Sequence, residues 1–217
     1  LSEEVKQKAA EFRMQNKLNF ESVSQIIKTP VIGAAINLST IYNFAFSMLY
    51  ATFALFMEKE FQFHTKETGY IFGFLGIVSA IIQGGLIGRI SQWIGEEKMI
   101  ISGILINALG LLLLSVSDSL FLLLLSVTIM AIGGGIITPA LSGLVSKKTS
   151  EDQQGRNLGL MQSFSNLARM FGMIVGGYVF VAISIWSPFW ISGTILLVGF
   201  VYSVMGLRSR LAVAEKM

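Results

Sequence analysis

The stretch LGLMQSFSNLARMFGMIVGGYVFV, residues 158–181, decides the fold. Its 24 residues suffice to cross a hydrocarbon core about 30 Å thick, which takes roughly 20 apolar residues at about 1.5 Å each. Its one charge, Arg169, stands eleven residues in, about 16 Å deep and too far for comfortable snorkelling. Five further apolar stretches of similar length lie near 31–57, 69–88, 99–116, 120–144 and 187–207, the third only just long enough. An all-α membrane protein with six transmembrane helices is therefore expected. Its organisation reads as a charged linker over 1–29, a transmembrane domain over 30–207 and a short tail over 208–217.

Composition agrees. The chain is 53% hydrophobic and 13% charged, with a mean hydropathy of +0.68, whereas an ordinary soluble domain carries about 25% charged residues. With no cysteine there is no disulfide framework, no Cys-ligated zinc and no thiol nucleophile. His64 stands alone in a loop between spans, so neither a metal site nor a cofactor is expected. Nothing resembles a Ser/His/Asp triad or a phosphate-binding loop followed by Lys, and no enzymatic role is expected. Trp93, Trp186 and Trp190 sit at span ends, where an interfacial aromatic belt belongs.

The sixteen Lys and Arg residues sort by loop. Lys6, Lys8, Arg13, Lys17 and Lys28 precede the first span, Arg89 and Lys98 follow the second, Lys147, Lys148 and Arg156 follow the fourth, and Arg208, Arg210 and Lys216 close the chain. The other side receives only Lys59 and Lys66. By the positive-inside rule both termini are expected in the cytoplasm. The basic excess is thus an orientation signal, and nucleic-acid binding is not expected. All thirteen acidic residues lie outside the spans, so a proton relay, which commonly uses an intramembrane carboxylate, would need an acid from elsewhere. The chain opens on Leu1, and a charged segment leading into six spans reads as part of something longer.

Residues three and four apart share a helix face. On that spacing Thr40, Asn43, Ser47 and Tyr50 form a polar stripe in the first span, Gly76, Ser79 and Gln83 in the second, and Thr128, Gly135, Thr138 and Ser142 in the fourth. The fifth span has the strongest stripe, Gln162, Ser165, Asn166 and Arg169. The third and sixth are plainer, with Ser102 and Asn107, and Ser192 and Thr194. Four spans are expected to line a cavity and two to face lipid. The candidate cavity residues are Asn43, Ser47, Gln83, Thr138, Gln162, Asn166 and Arg169. For Arg169 three readings stand open: it binds an anionic substrate group, pairs with a carboxylate from another six-helix half, or packs against carbonyls near Gly172. Gly155 and Gly159, and again Gly172 and Gly176, stand four apart and would permit close helix crossing. The run from Gly172 to Gly177 would also let the outer half of the fifth span bend.

The turn after the second span reads Gln83-Gly84-Gly85-Leu86-Ile87-Gly88-Arg89-Ile90-Ser91-Gln92-Trp93-Ile94-Gly95-Glu96-Glu97-Lys98. It resembles the G-x-L-x-D-R-x-G-R-K signature of the major facilitator superfamily, with Gly88, Ile90 and Gly95 in register, Gln92 where the family prefers an acid and Trp93 where it prefers a base. Gly133-Gly134-Gly135 with Pro139-Ala140-Leu141 is similar to the family's tenth helix. Gln154-Gly155-Arg156 followed by Ser165 to Gly172 and Gly176-Gly177 resembles the eleventh helix of the drug:proton antiporter branch, which includes tetracycline-efflux proteins, with Met173 in place of a proline. The resemblance covers residues 30–207 and implies the C-terminal half of a transporter, helices seven to twelve, built from 3+3 inverted repeats. It implies a small-molecule substrate, protons as a possible coupling ion, the lipid bilayer and an N-terminal six-helix half as partners, and a cell membrane as location. Gly88, Gly95, Gly172, Gly176 and Gly177 become candidate gating or hinge positions. The function this implies is proton-coupled export of small molecules or drugs by alternating access. The alternatives on the same fold are an uptake permease for a polar metabolite and a non-transporting assembly factor or scaffold.

Overall fold

A computed structural model describes residues 20–214. The expectations for most of the 1–29 linker, including Lys6, Lys8, Arg13 and Lys17, and for Lys216 in the tail, lie outside the described residues. A short helix α1 (Phe20–Lys28) precedes six long ones: α2 (Pro30–Phe61), α3 (Thr65–Ile81), α4 (Ile87–Leu114), α5 (Leu120–Lys147), α6 (Glu151–Ala182) and α7 (Ser187–Ala214). All six are long and apolar enough to span a membrane, and the protein is an all-α, multi-pass membrane protein.

Local chemistry sets the helix limits. Pro30 occupies the first turn of α2, where its missing N–H is no loss. His64 starts α3, its backbone N–H donating to Glu67 Oε2 at 3.0 Å, and Ser119 caps α5 by accepting from Leu122 N. The expected loop after the second span is largely helical. The chain passes from α3 through a π-helical turn, Ile82–Leu86, directly into α4, so Gly88 is helical and the break falls at Gly95 alone, with φ 76° and ψ 161°. That backbone region is open essentially only to glycine.

The bundle is held by two extensive helix pairs, α4 with α5 and α2 with α6, and α7 packs on both α4 and α2. With no hydrophobic force between helices in lipid, close backbone approach through small residues drives such packing. A Cβ on Gly133 would stand 2.6 Å from Asn107 N, and one on Gly176 would stand 2.7 Å from Met48 Cα. Among the aromatic residues, Phe56 meets Trp186 and Phe189 edge-on, each at 4.7 Å between centroids.

Two expectations need correction. Gly155 and Gly159 make no close crossing, because nothing lies within 4 Å of a Cβ built on either; only Gly172 and Gly176 of the fifth span do so. The third and sixth spans are not simply lipid-facing. Asn107 is fully buried and donates Nδ2–H to Met130 O at 2.9 Å, and Ser192 is buried too. Their polar groups sit between helices, while Leu109 on α4 and Val198, Val201 and Met205 on α7 are exposed.

Candidate functional site

Gly172 places α6 against α2 so closely that a Cβ there would collide with Phe44 O. This crossing brings Arg169, near the middle of the 32-residue α6, beside the polar stripe of α2. With α5 the two helices enclose a cavity of about 390 Å³ lined by Tyr42, Asn43, Phe46, Ser47, Tyr50, Thr138, Arg169 and Met173. Four of the seven candidate cavity residues therefore meet: Asn43, Ser47, Thr138 and Arg169.

Arg169 Nη2–H donates to Asn43 Oδ1 at 2.8 Å. Asn43 is oriented from below, its Nδ2–H reaching Ser39 O at 2.8 Å, and the buried hydroxyls of Ser39 and Ser165 join α2 to α6 at 2.7 Å. One amide thus fixes the side chain of Arg169 while leaving most of its five donors unspent. Arg169 is exposed and has no carboxylate partner among the described residues. Its bond runs to an α2 side chain, Asn43, instead of to carbonyls near Gly172.

The other three candidates fall elsewhere. Gln162 and Asn166 lie on the same α6 face as Arg169, exposed and joined to each other by Nε2–H to Oδ1 at 3.0 Å, but do not line the cavity. Gln83 is exposed in the π-helical turn, and α3 contributes no wall. Of the candidate hinges, Gly172 and Gly176 are packing contacts, Gly95 is a true backbone break, and Gly88 and Gly177 stand with nothing within 4 Å of a Cβ.

The polar-stripe reading missed Tyr42, Phe46 and Met173. The aromatic rings form a ladder, Tyr42 stacked on Phe46 at 5.4 Å, Phe46 edge-on to Tyr50 at 5.1 Å and Tyr50 stacked on Phe72 at 6.0 Å. Their spacing of four residues in the sequence was the available signal. The site therefore pairs a guanidinium fork suited to bidentate contact with a carboxylate or phosphate with flat aromatic faces suited to a ring. Among the described residues no group of His, Cys, Asp or Glu is placed to hold a metal ion.

At the basic end of the bundle, Glu96 accepts from Ser91 Oγ at 2.8 Å and pairs with Lys147. This pair ties the Gly95 break to the end of α5.

Comparison with known proteins places this geometry in context. The sequence profile described as Major Facilitator Superfamily matches residues 7–215. Tetracycline resistance protein, class D, of Salmonella ordonez is 30% identical over 126 residues, 58% of this chain and 32% of that protein. Multidrug resistance protein 1 of Bacillus subtilis is 30% identical over 179 residues, 82% of this chain and 45% of that protein. The crystal structure of the human organic anion transporter MFSD10 (TETRAN) superposes with a TM-score of 0.75 at 26% identity, covering 79% of this chain and 40% of that one. The chain thus spans less than half the length of these relatives.

Proposed function

The chain belongs to the Major Facilitator Superfamily, and from that premise we propose that it is the C-terminal six-helix half of a proton-coupled exporter of small amphiphilic molecules. The observation that carries this reading is the cavity holding Arg169 and Asn43 against an aromatic ladder. Arg169 keeps donors that Asn43 does not use, and in the complete transporter an N-terminal six-helix half would stand across the cavity from it. There the guanidinium meets an anionic group, either of the substrate or of a carboxylate on that half. Since all thirteen acids of this chain lie outside the spans as read from its sequence, the proton carrier belongs to the partner half. Transport proceeds by alternating access, the two halves rocking about a midplane site. The end that carries Lys147, Lys148 and Arg156 faces the cytoplasm of a cell membrane. The resistance proteins among the relatives support export over uptake.

The test is flux of a fluorescent aromatic drug into inside-out vesicles that hold the chain together with its N-terminal half. Accumulation driven by an acidic interior is expected, with loss when the gradient is collapsed. Accumulation indifferent to the gradient would rule out proton exchange. Residues 1–217 reconstituted alone should give no saturable flux, because one half presents a polar wall with nothing opposite.

A further inference from the structure

At the basic end lies a second cavity, of about 370 Å³, between α1, the start of α2, the α5–α6 turn and the first turns of α6. Its position is built, not incidental. α1 meets α2 across a break at Thr29, with φ −63° and ψ 123°, and the approach is so close that a Cβ on Gly33 would collide with Ile27 O. Ile26 is buried in the core and, with Ile32, gives the cavity an apolar edge.

Three features of its walls ask for a ligand. Lys148 and Arg156 are the two charged residues lining it, and Arg156 Nε is buried without a hydrogen-bond partner. Asn157, only 2% exposed, gives its Nδ2–H to Thr149 Oγ1 at 3.2 Å and leaves Oδ1 buried and unpartnered. The N-terminus of the 32-residue α6 opens here, and the Ser150 side chain makes no capping bond to it. Helix N-termini and cationic side chains both favour anionic oxygens. The exposed first-turn acids Glu151 and Asp152 do not line the cavity.

A bare anion would engage the cationic groups and leave Asn157 Oδ1 an orphan, since that atom can only accept. The complementary ligand carries anionic oxygens together with a hydroxyl. We propose that this cavity binds a phosphate ester that also carries a hydroxyl, the chemistry shared by the headgroup of phosphatidylglycerol and by soluble glycerol 3-phosphate. The basic end of a membrane bundle beside an amphipathic helix suits a headgroup, with the apolar edge at Ile26 and Ile32 taking the glycerol backbone.

The experiment follows thermal unfolding and native mass spectrometry of the full chain in phosphatidylcholine nanodiscs. One arm adds phosphatidylglycerol, a second adds phosphatidylmethanol, anionic but without a headgroup hydroxyl, and a third adds glycerol 3-phosphate to the buffer. Stabilisation by phosphatidylglycerol or by glycerol 3-phosphate is expected, with phosphatidylmethanol at least about tenfold weaker, the ratio set by one satisfied buried acceptor; the responding arm identifies the source. Arg156→Gln should abolish the response. Because Arg156 is partly buried, the exposed Lys148→Gln serves as a variant that will fold, and it should weaken the response. Lys66→Gln, in the first turn of α3, should leave it unchanged. No response in any arm, a response equal for phosphatidylmethanol, or one retained in both Arg156→Gln and Lys148→Gln would overturn the proposal.

Discussion

α6 and α3 occupy comparable places in the two triplets of spans, α2–α4 and α5–α7, yet they are held very differently. α6 lies along α2 with Gly172 and Gly176 in backbone contact with Phe44 and Met48, and the Ser39–Ser165 hydroxyl pair reinforces the seam. α3 touches α5 more sparsely and barely meets α2, and it ends in a π-helical turn whose Gly84 and Gly85 have nothing within 4 Å of a Cβ. One helix carries the charge on a rigid seam; the other is loosely held and irregular. A fixed guanidinium needs the first arrangement, because a displaced donor loses its bond to Asn43. A segment that moves is served by the second, and π turns are frequent at functional sites.

The largest effect should come from removing the feature that the rigid seam presents. Arg169→Met in the complete transporter is expected to cut drug flux roughly 10- to 100-fold, the equivalent of about 1.5–3 kcal/mol for a charge-assisted hydrogen bond. Insertion should be undiminished, since an unpaired arginine in a span is costly to bury. Arg169→Lys should restore little where a bidentate contact is made. Parental flux in both variants would return Arg169 to a packing role.

Next comes the seam itself. Gly172→Ala or Gly176→Ala should destabilise by about 1–3 kcal/mol, as overpacking does, because the obstructing atoms, Phe44 O and Met48 Cα, are backbone. The measurement is the melting temperature in detergent. An unshifted melt would mean that α6 is not held as tightly as its geometry implies.

For α3 the expectation is reversed. Gly84→Ala combined with Gly85→Ala meets no obstruction and gains up to about 1 kcal/mol of helix propensity per site, so the melt should hold or rise. Flux should nevertheless slow severalfold, because the added helical preference works against the π turn. Slower flux with a lowered melt would assign the loss to folding instead, and the contrast between α3 and α6 would fail.

The smallest effect belongs to Gly155→Ala and Gly159→Ala, which share the four-residue spacing of Gly172 and Gly176 without their contacts. Flux should stay near the parent's, and the melting temperature should hold or rise by the same gain in helix propensity. A large loss in either would point to a partner on that open face, such as the second half.

These glycines also mark the limit of what the sequence could say. Spacing identifies pairs able to support a close crossing; whether a neighbour arrives depends on the path of α2, which no local pattern encodes. Asn107 makes the same point, for a lone amide on a plain span suggested little, and its buried bond to Met130 O exists only because Gly133 lets α5 approach. The aromatic wall of the cavity was visible as a four-residue spacing but carried no polar label to single it out.

What the sequence by itself determined was the all-α membrane architecture, the number of its spans and the depth of Arg169, because a bilayer dictates length and apolarity segment by segment. Helical periodicity also grouped Asn43, Ser47 and Tyr50 on one face of α2 and Gln162, Asn166 and Arg169 on one face of α6, although of that α6 group Arg169 alone lines the cavity. Only tertiary structure decided that α2, α5 and α6 share the cavity while α3 does not, that Asn43 holds Arg169, and that Lys148, Arg156 and Asn157 converge at the basic end. Such convergence depends on how helices cross, and crossings are set by the side chains of two helices at once.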